Sequence, residues 1–132
     1  MTYFLDTNIC IYYLKNSFPK LNKQLQKTPF AKIKLPSMVA AELLFGAEKS
    51  KKRDYNLKLM RAFISLFEVI SFDIKAADHY AIIRAELENK GQVIGGNDLI
   101  IAAITLANNG TLITHNEKEF SRIKNLKTDD WC

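Results

Sequence analysis

Tyr3-Phe4-Leu5-Asp6-Thr7-Asn8 is the stretch on which the whole chain turns. Three residues suited to a buried strand run directly into an acid, a hydroxyl and an amide. In an open α/β sheet, ligands collect beyond the carboxyl ends of the strands, where the loops leave the hydrophobic layers. Asp6 so placed is drawn out of bulk water yet still faces a crevice. A carboxylate in that setting is costly unless it meets a cation, a donor or a proton. The rest of the chain has to supply that partner.

Outward from this stretch, residues 2–5 read as a short central strand. Asn8–Leu14, dense in Ile9, Ile11, Tyr12, Tyr13 and Leu14, reads as a short, largely buried helix. Pro19 and Pro29 bracket an amphipathic helix with Leu21 and Leu25 at i, i+4 spacing. Ala31–Leu35 alternates and predicts a strand ended by Pro36. Ser37 is then the expected N-cap of a helix over Met38–Glu48. In Tyr55–Phe67, Leu57, Met60, Ile64 and Phe67 recur at helical spacing, a stripe for core packing or for a partner.

Val69–Phe72 predicts a further strand, and Asp73 caps a helix over Ile74–Asn89 that Gly91 stops. Gly95 and Gly96 form a flexible approach to Asn97-Asp98. From there Leu99–Ala107 is apolar nearly all round, as a helix buried on most faces must be, and Asn108-Asn109-Gly110 ends it. Thr111–Thr114 is another short strand, and His115–Phe120 a polar turn or short helix. The tail from Ile123 to Cys132 carries Leu126 and Trp131 as anchors, with room for one edge strand. Strands alternating with helices predict a single α/β domain over residues 1–132. Its parallel sheet has four to five short strands, with helices on both faces.

Composition bounds the possibilities. A chain of 132 residues can bury a proper core without staples, and its 48% hydrophobic and 25% charged content is ordinary for a globular domain. No apolar run approaches the length of a membrane span, and the N-terminus lacks the pattern of a cleaved leader. Cys10 and Cys132 form neither a metal-ligand spacing nor a disulfide framework, so a reducing, cytoplasmic setting is expected. The net charge of +5 is clustered: Lys49, Lys51, Lys52, Arg53, Lys58 and Arg61 in one stretch, Lys118, Arg122, Lys124 and Lys127 near the end. Such a surface draws polyanions, although the same charges also serve as a solvated helix face.

Four polar residues fall at element ends. Asp6 follows the first strand, Glu42 lies about one turn into the helix after the second, Asp98 opens the most buried helix, and Asn116 follows the strand ending at Thr114. Singly, each has an ordinary explanation: Asp98 complements a helix dipole, Glu42 is solvated, Asn116 is a turn residue. Jointly, a right-handed parallel sheet delivers them to one rim. Three carboxylates there repel one another, and a divalent cation relieves the repulsion. Oxygen-only ligation favours magnesium or manganese over zinc. The chemistry to which this points is metal-dependent phosphodiester hydrolysis.

Leu5-Asp6-Thr7-Asn8, Ala41-Glu42-Leu43, Gly96-Asn97-Asp98-Leu99-Ile100-Ile101-Ala102-Ala103 and Thr114-His115-Asn116-Glu117-Lys118-Glu119-Phe120 together resemble the signature blocks of PIN-domain ribonucleases, and more narrowly of VapC toxins from bacterial VapBC modules. The resemblance runs the length of the chain, Trp131 included. It implies a PIN fold and a magnesium-dependent endoribonuclease, with manganese as a substitute. It also implies a homodimer neutralised by a VapB antitoxin, with operator DNA bound only through that antitoxin and no membrane involved. By the same resemblance Asp6 and Asp98 are direct metal ligands and Glu42 is the third acid. Thr7 orients Asp6 or a nearby water through its hydroxyl. Many relatives carry an acid where this chain has Asn116, and Glu119, about one helical turn later, is the residue that compensates. The implied substrate is structured RNA, led by the anticodon stem-loop of initiator tRNA, with Lys49, Lys51, Lys52 and Arg53 as phosphate contacts.

Three other readings compete. A haloacid-dehalogenase-like phosphatase wants a second acid two residues after Asp6, where this chain has Asn8. A receiver-type signalling domain uses such an Asp as phosphoacceptor. A catalytically silent nucleic-acid-binding module needs none of the acids.

Overall fold

The computed structural model describes all 132 residues. Five short strands, β1 (Tyr3–Leu5), β2 (Ile33–Pro36), β3 (Glu68–Ile70), β4 (Thr111–Ile113) and β5 (Lys127–Asp129), form one sheet in the order β3-β2-β1-β4-β5. Every neighbouring pair is parallel. The chain steps outward from β1 to β2 and β3, then crosses back to β4 and β5 on the other side. The switch point therefore lies between β1 and β4. This is the order 3-2-1-4-5, whereas a receiver-type domain needs 2-1-3-4-5, so the signalling alternative fails on topology.

Phe4 and Leu5 point to opposite sides of β1, and both are fully buried. The sheet is thus covered on both faces, as a parallel sheet with right-handed crossovers must be. The covering helices are α1 (Thr7–Leu14), α2 (Pro19–Lys27), α3 (Ser37–Glu48), α4 (Arg53–Ile64), α5 (Ile74–Asn89), α6 (Gly96–Ala107) and the single turn α7 (Glu117–Phe120). One hydrophobic cluster joins β1, β2 and β4 to α1, α3, α5 and α6, with Ile101, Ala102, Ala103 and Ile104 of α6 fully enclosed. Helix α6 is the apolar one its sequence predicts.

Boundaries moved where a neighbour overrode local preference. Ser37 does not cap α3. Pro36 holds the N-cap position, extended at φ −59° and ψ 141°, and Ser37 is already inside the first turn with no capping bond. Pro36 also continues β2, opposite Ile70, so it does not end the strand before itself. The third strand begins at Glu68, earlier than Val69–Phe72, because Glu68 pairs with Lys34 both in register and as an ion pair. An edge strand tolerates that charge. Helix α4 starts two residues and stops three residues before the bounds of Tyr55–Phe67, and its buried residue is Phe63, not a member of the Leu57, Met60, Ile64, Phe67 stripe. Helix α6 starts at Gly96, which places Asn97 and Asp98 in its first turn. Asp73 does cap α5, accepting from the Ala76 N–H at 3.0 Å, and Gly91 follows its end at φ +65°.

No helix is long and apolar enough to cross a membrane.

Candidate active site at the strand ends

Asp6 has two structural anchors. It is the N-cap of α1, its Oδ1 accepting the Ile9 N–H at 2.9 Å, and its own N–H is held by Ile113 O at 3.2 Å. The carboxylate is therefore fixed between β1 and β4, at the switch point. Burial raises its carboxyl above the ordinary aspartate value. Hydrogen bonds from the Thr114 side chain and the Ile9 N–H pull it back only in part, and the charges of Glu42 and Asp130 push it up further.

Glu42 reaches the same rim from α3. Thr7 Oγ1 donates to its Oε1 at 2.5 Å, and Asn97 Nδ2 donates to its Oε2 at 3.2 Å. Thr7 therefore bonds to Glu42 and not to Asp6, the first of the two targets expected of its hydroxyl. As the first residue of α1 it points across to α3 instead. Asp98 arrives from the first turn of α6, and its carboxyl is pushed up to about 7. Burial is the main cause. A hydrogen bond with Glu119 and the charge of Glu119 come next, followed by the charges of Asp6 and Glu42. Glu119 projects inward from α7, and Asn116 Nδ2 holds its Oε2 at 2.9 Å. The geometry separates the two residues after β4: Glu119 carries charge to Asp98, whereas Asn116 is exposed and braces Glu119.

Asp6, Glu42, Asp98 and Glu119 thus meet at one rim. Each is supplied by a different element, and their mutual repulsion is visible at Asp6 and Asp98. The donors are all carboxylate oxygens, a set suited to a hard divalent cation. Asn97 is a contributor that the spacing did not reveal. It lies next to Asp98 in sequence, and only the tilt of the first turn of α6 shows that its amide reaches Glu42.

The basic residues stand apart from the acids. Lys49, Lys51 and Lys52 lie in the turn between α3 and α4 and Arg53 opens α4, with Lys49 about 10 Å along the helix axis from Glu42. They are not equivalent. Lys49 lies over the Phe45 ring at 5.1 Å, and Arg53 is paired with Glu48 at 2.6 Å and Asp54 at 2.8 Å, which leaves Lys51 and Lys52 as the uncommitted charges. Between the acids and this turn runs an apolar groove of about 400 Å³, lined among others by Ile11, Leu14, Leu43 and Met60, with Glu42 and Lys15 at its polar border. Of the stripe Leu57, Met60, Ile64 and Phe67, Met60 alone lines it; Met60, Ile64 and Phe67 all pack against the core.

Comparison with known proteins agrees with this architecture. Residues 3–126 match the PIN domain family. The chain is 43% identical to Ribonuclease VapC2 of Rickettsia felis, over 99% of this chain and 98% of that protein. It is 36% identical to the tRNA(fMet)-specific endonuclease VapC of Salmonella typhimurium, over 100% and 99%. Among solved structures, VapBC2 from Rickettsia felis bound to a promoter DNA fragment matches with a TM-score of 0.91 at 41% identity, covering all of both chains. DNA-bound VapBC from Salmonella typhimurium matches with a TM-score of 0.94 at 36% identity, over 100% of this chain and 99% of that one.

Proposed function

This chain belongs to the PIN-domain family, within it to the VapC ribonucleases, and we propose that it is a magnesium-dependent endoribonuclease acting as the toxin of a toxin–antitoxin pair. The observation that carries the catalytic reading is the convergence of Asp6, Glu42, Asp98 and Glu119, with the Asp98 carboxyl driven to about 7 by burial and by its acidic neighbours. A cluster of that kind fits Mg2+, with Mn2+ as a substitute, because a hard divalent cation removes the repulsion and accepts oxygen ligands. Asp6 and Asp98 would hold it directly, and Glu42 would do so directly or through water. Bound there, the ion supplies Lewis-acid polarisation of the scissile phosphodiester and favours ionisation of the attacking water.

The remaining work belongs to the chain. The Ile9 N–H and the Thr114 side chain fix Asp6. Thr7 and Asn97 grip Glu42 from two sides, so its carboxylate keeps one orientation. Asn116 holds Glu119 beside Asp98, and the hydrogen bond with Glu119 and its charge help to keep the Asp98 carboxyl raised. Fixed orientation of this sort reduces the reorganisation needed on the way to the transition state.

The substrate is structured RNA cut in an unpaired loop, foremost the anticodon loop of initiator tRNA. The support is the activity named for the Salmonella relative, together with a crevice suited to a splayed backbone. Lys49, Lys51, Lys52 and Arg53 contact phosphates beyond the cleavage point. The partner is a VapB-type antitoxin, as in the matching complexes, and through it the pair reaches promoter DNA. An apolar antitoxin segment seated in the groove by Met60 ends against Glu42 and so blocks the acids. The toxin works as a homodimer in the cytoplasm, where its RNA is.

The test is incubation of a total tRNA pool with purified chain and Mg2+, beside lanes with EDTA and with Asp98→Asn. A discrete fragment confined to the active, metal-containing lane is expected. Cleavage that persists in both control lanes, or none in any lane, defeats the proposal.

A further inference from the structure

One rim position beyond the acids, the ends of β4 and β5 bring together a second cluster of different chemistry. A ring nitrogen of His115, a carboxylate oxygen of Asp130 and Sγ of Cys132 all lie within 4.8 Å of one another. None of the three belongs to the catalytic set. We propose that His115, Asp130 and Cys132 form a site for a zinc-class transition-metal ion, separate from the magnesium site.

The donor set is the first argument. Imidazole nitrogen, thiolate sulfur and a single carboxylate select borderline-soft divalent ions over magnesium, whereas the four carboxylates next door do the reverse. Distance is the second. Tetrahedral Zn2+ with bonds of about 2.0–2.3 Å needs ligand atoms roughly 3.3–3.8 Å apart, so closure from the present spread takes a movement of about 1 Å.

Pre-organisation is the third. His115 follows the buried Thr114 directly. Its ring is flanked by Phe18 and Tyr12, with centroids at 5.0 and 6.1 Å, and its Nδ1 already meets Asp130 Oδ2 at 2.8 Å. Asp130 in turn uses its other oxygen, Oδ1, to accept the Cys132 N–H at 2.9 Å, which folds the cysteine back over the carboxylate. The segment between them is pinned by Trp131. That residue is buried, packs edge-on against Tyr3 with centroids 5.0 Å apart, and donates from Nε1 to Asp129 Oδ2 at 3.2 Å. Asp129 itself lies in register with Ile113. All three ligands thereby lie just beyond the ends of the paired strands β4 and β5, and His115 remains open to solvent as an entry path. Uptake exchanges one bond for another at sulfur: the S–H proton leaves to solvent as the metal–sulfur bond forms.

The experiment is a Co2+ titration of the reduced full-length chain in excess Mg2+, which keeps cobalt from the carboxylate site. We expect one equivalent of cobalt to raise a thiolate-to-cobalt charge-transfer band in the near ultraviolet, and Zn2+ to erase it. Cys132→Ser removes the band, His115→Ala weakens binding at least tenfold, and Asp98→Asn leaves both unchanged. Circular dichroism confirms that the variants are folded. No band in the unaltered chain overturns the proposal, as does a band that survives Cys132→Ser.

Discussion

Thr7 Oγ1 donates to Glu42 Oε1 across 35 residues of sequence, and so ties the first turn of α1 to the middle of α3. With Asp6 one residue earlier as the N-cap of α1, a single turn of helix fixes two acids at once. Thr7→Val keeps the shape and deletes the donor. Cleavage is expected to fall about 10- to 100-fold, the usual cost of losing a ligand-orienting partner, with little loss of stability. Initial rates on tRNA and a urea melt read the two effects. An undiminished rate would mean that Glu42 needs no brace.

Asp98→Asn separates activity from stability. Removing the most strained charge abolishes cleavage. It also relieves the repulsion among Asp6, Glu42 and Glu119, and is expected to stabilise the metal-free chain by about 1 kcal/mol at pH 8, a modest figure because the site is half open to solvent. Thermal melts in EDTA compare the two proteins. A lower melting temperature for the variant would contradict the repulsion argument.

The same residue sets a pH dependence. Between the ordinary aspartate value of 3.8 and about 7, the folded metal-free chain keeps a proton on Asp98 that the unfolded chain has shed. Raising the pH through that window therefore favours unfolding, and above it the loss is complete. Asp6 acts in the same direction. In EDTA the urea midpoint should be lower at pH 8 than at pH 5, and saturating Mg2+ should restore it at pH 8. Equal midpoints in EDTA would rule this out.

Met60→Glu tests the groove. A charge placed on its apolar wall should weaken binding of a VapB-type antitoxin by about tenfold or more and leave RNA cleavage unchanged. Calorimetric titration of the two proteins measures the first, tRNA cleavage the second. Unaltered affinity would place the antitoxin on another face.

Gly110 is a packing requirement with no catalytic part. Any Cβ there would overlap the Phe4 ring and crowd Thr2 O at 3.3 Å, both on or beside β1. Gly110→Ala should cost about 1–3 kcal/mol, the range for an overpacked core. A urea midpoint equal to that of the parent would show that Phe4 has room to move.

How much of this the sequence discloses depends on the range of the interaction. Asp73 and the buried helix at Leu99–Ala107 are legible because caps and periodicity act within a few residues, and Asp6 because it directly follows an apolar strand. The true partner of Thr7 is not, because nothing local marks a carboxylate 35 residues away. Asn97 is hidden for the same reason. Ser37 misleads because Pro36 takes the extended cap position that a serine there would otherwise fill. The start of β3 at Glu68, one residue before the predicted Val69, eludes a propensity reading because the ion pair with Lys34 exists only once β2 and β3 are side by side.

The order of the strands has a consequence for how the protein is made. β1 precedes every other element described in the chain, yet its neighbour on one side is β4, from residues 111–113, and Glu119 follows later still. Until that part of the chain is out, Asp6 lacks one wall of its crevice and Asp98 lacks its acidic partner. Synthesis proceeds over seconds and folds the N-terminal part first. A polypeptide interrupted before β4 therefore lacks part of the site that surrounds Asp6 and Asp98. The acidic site is complete only once the segment through Glu119 has joined the fold.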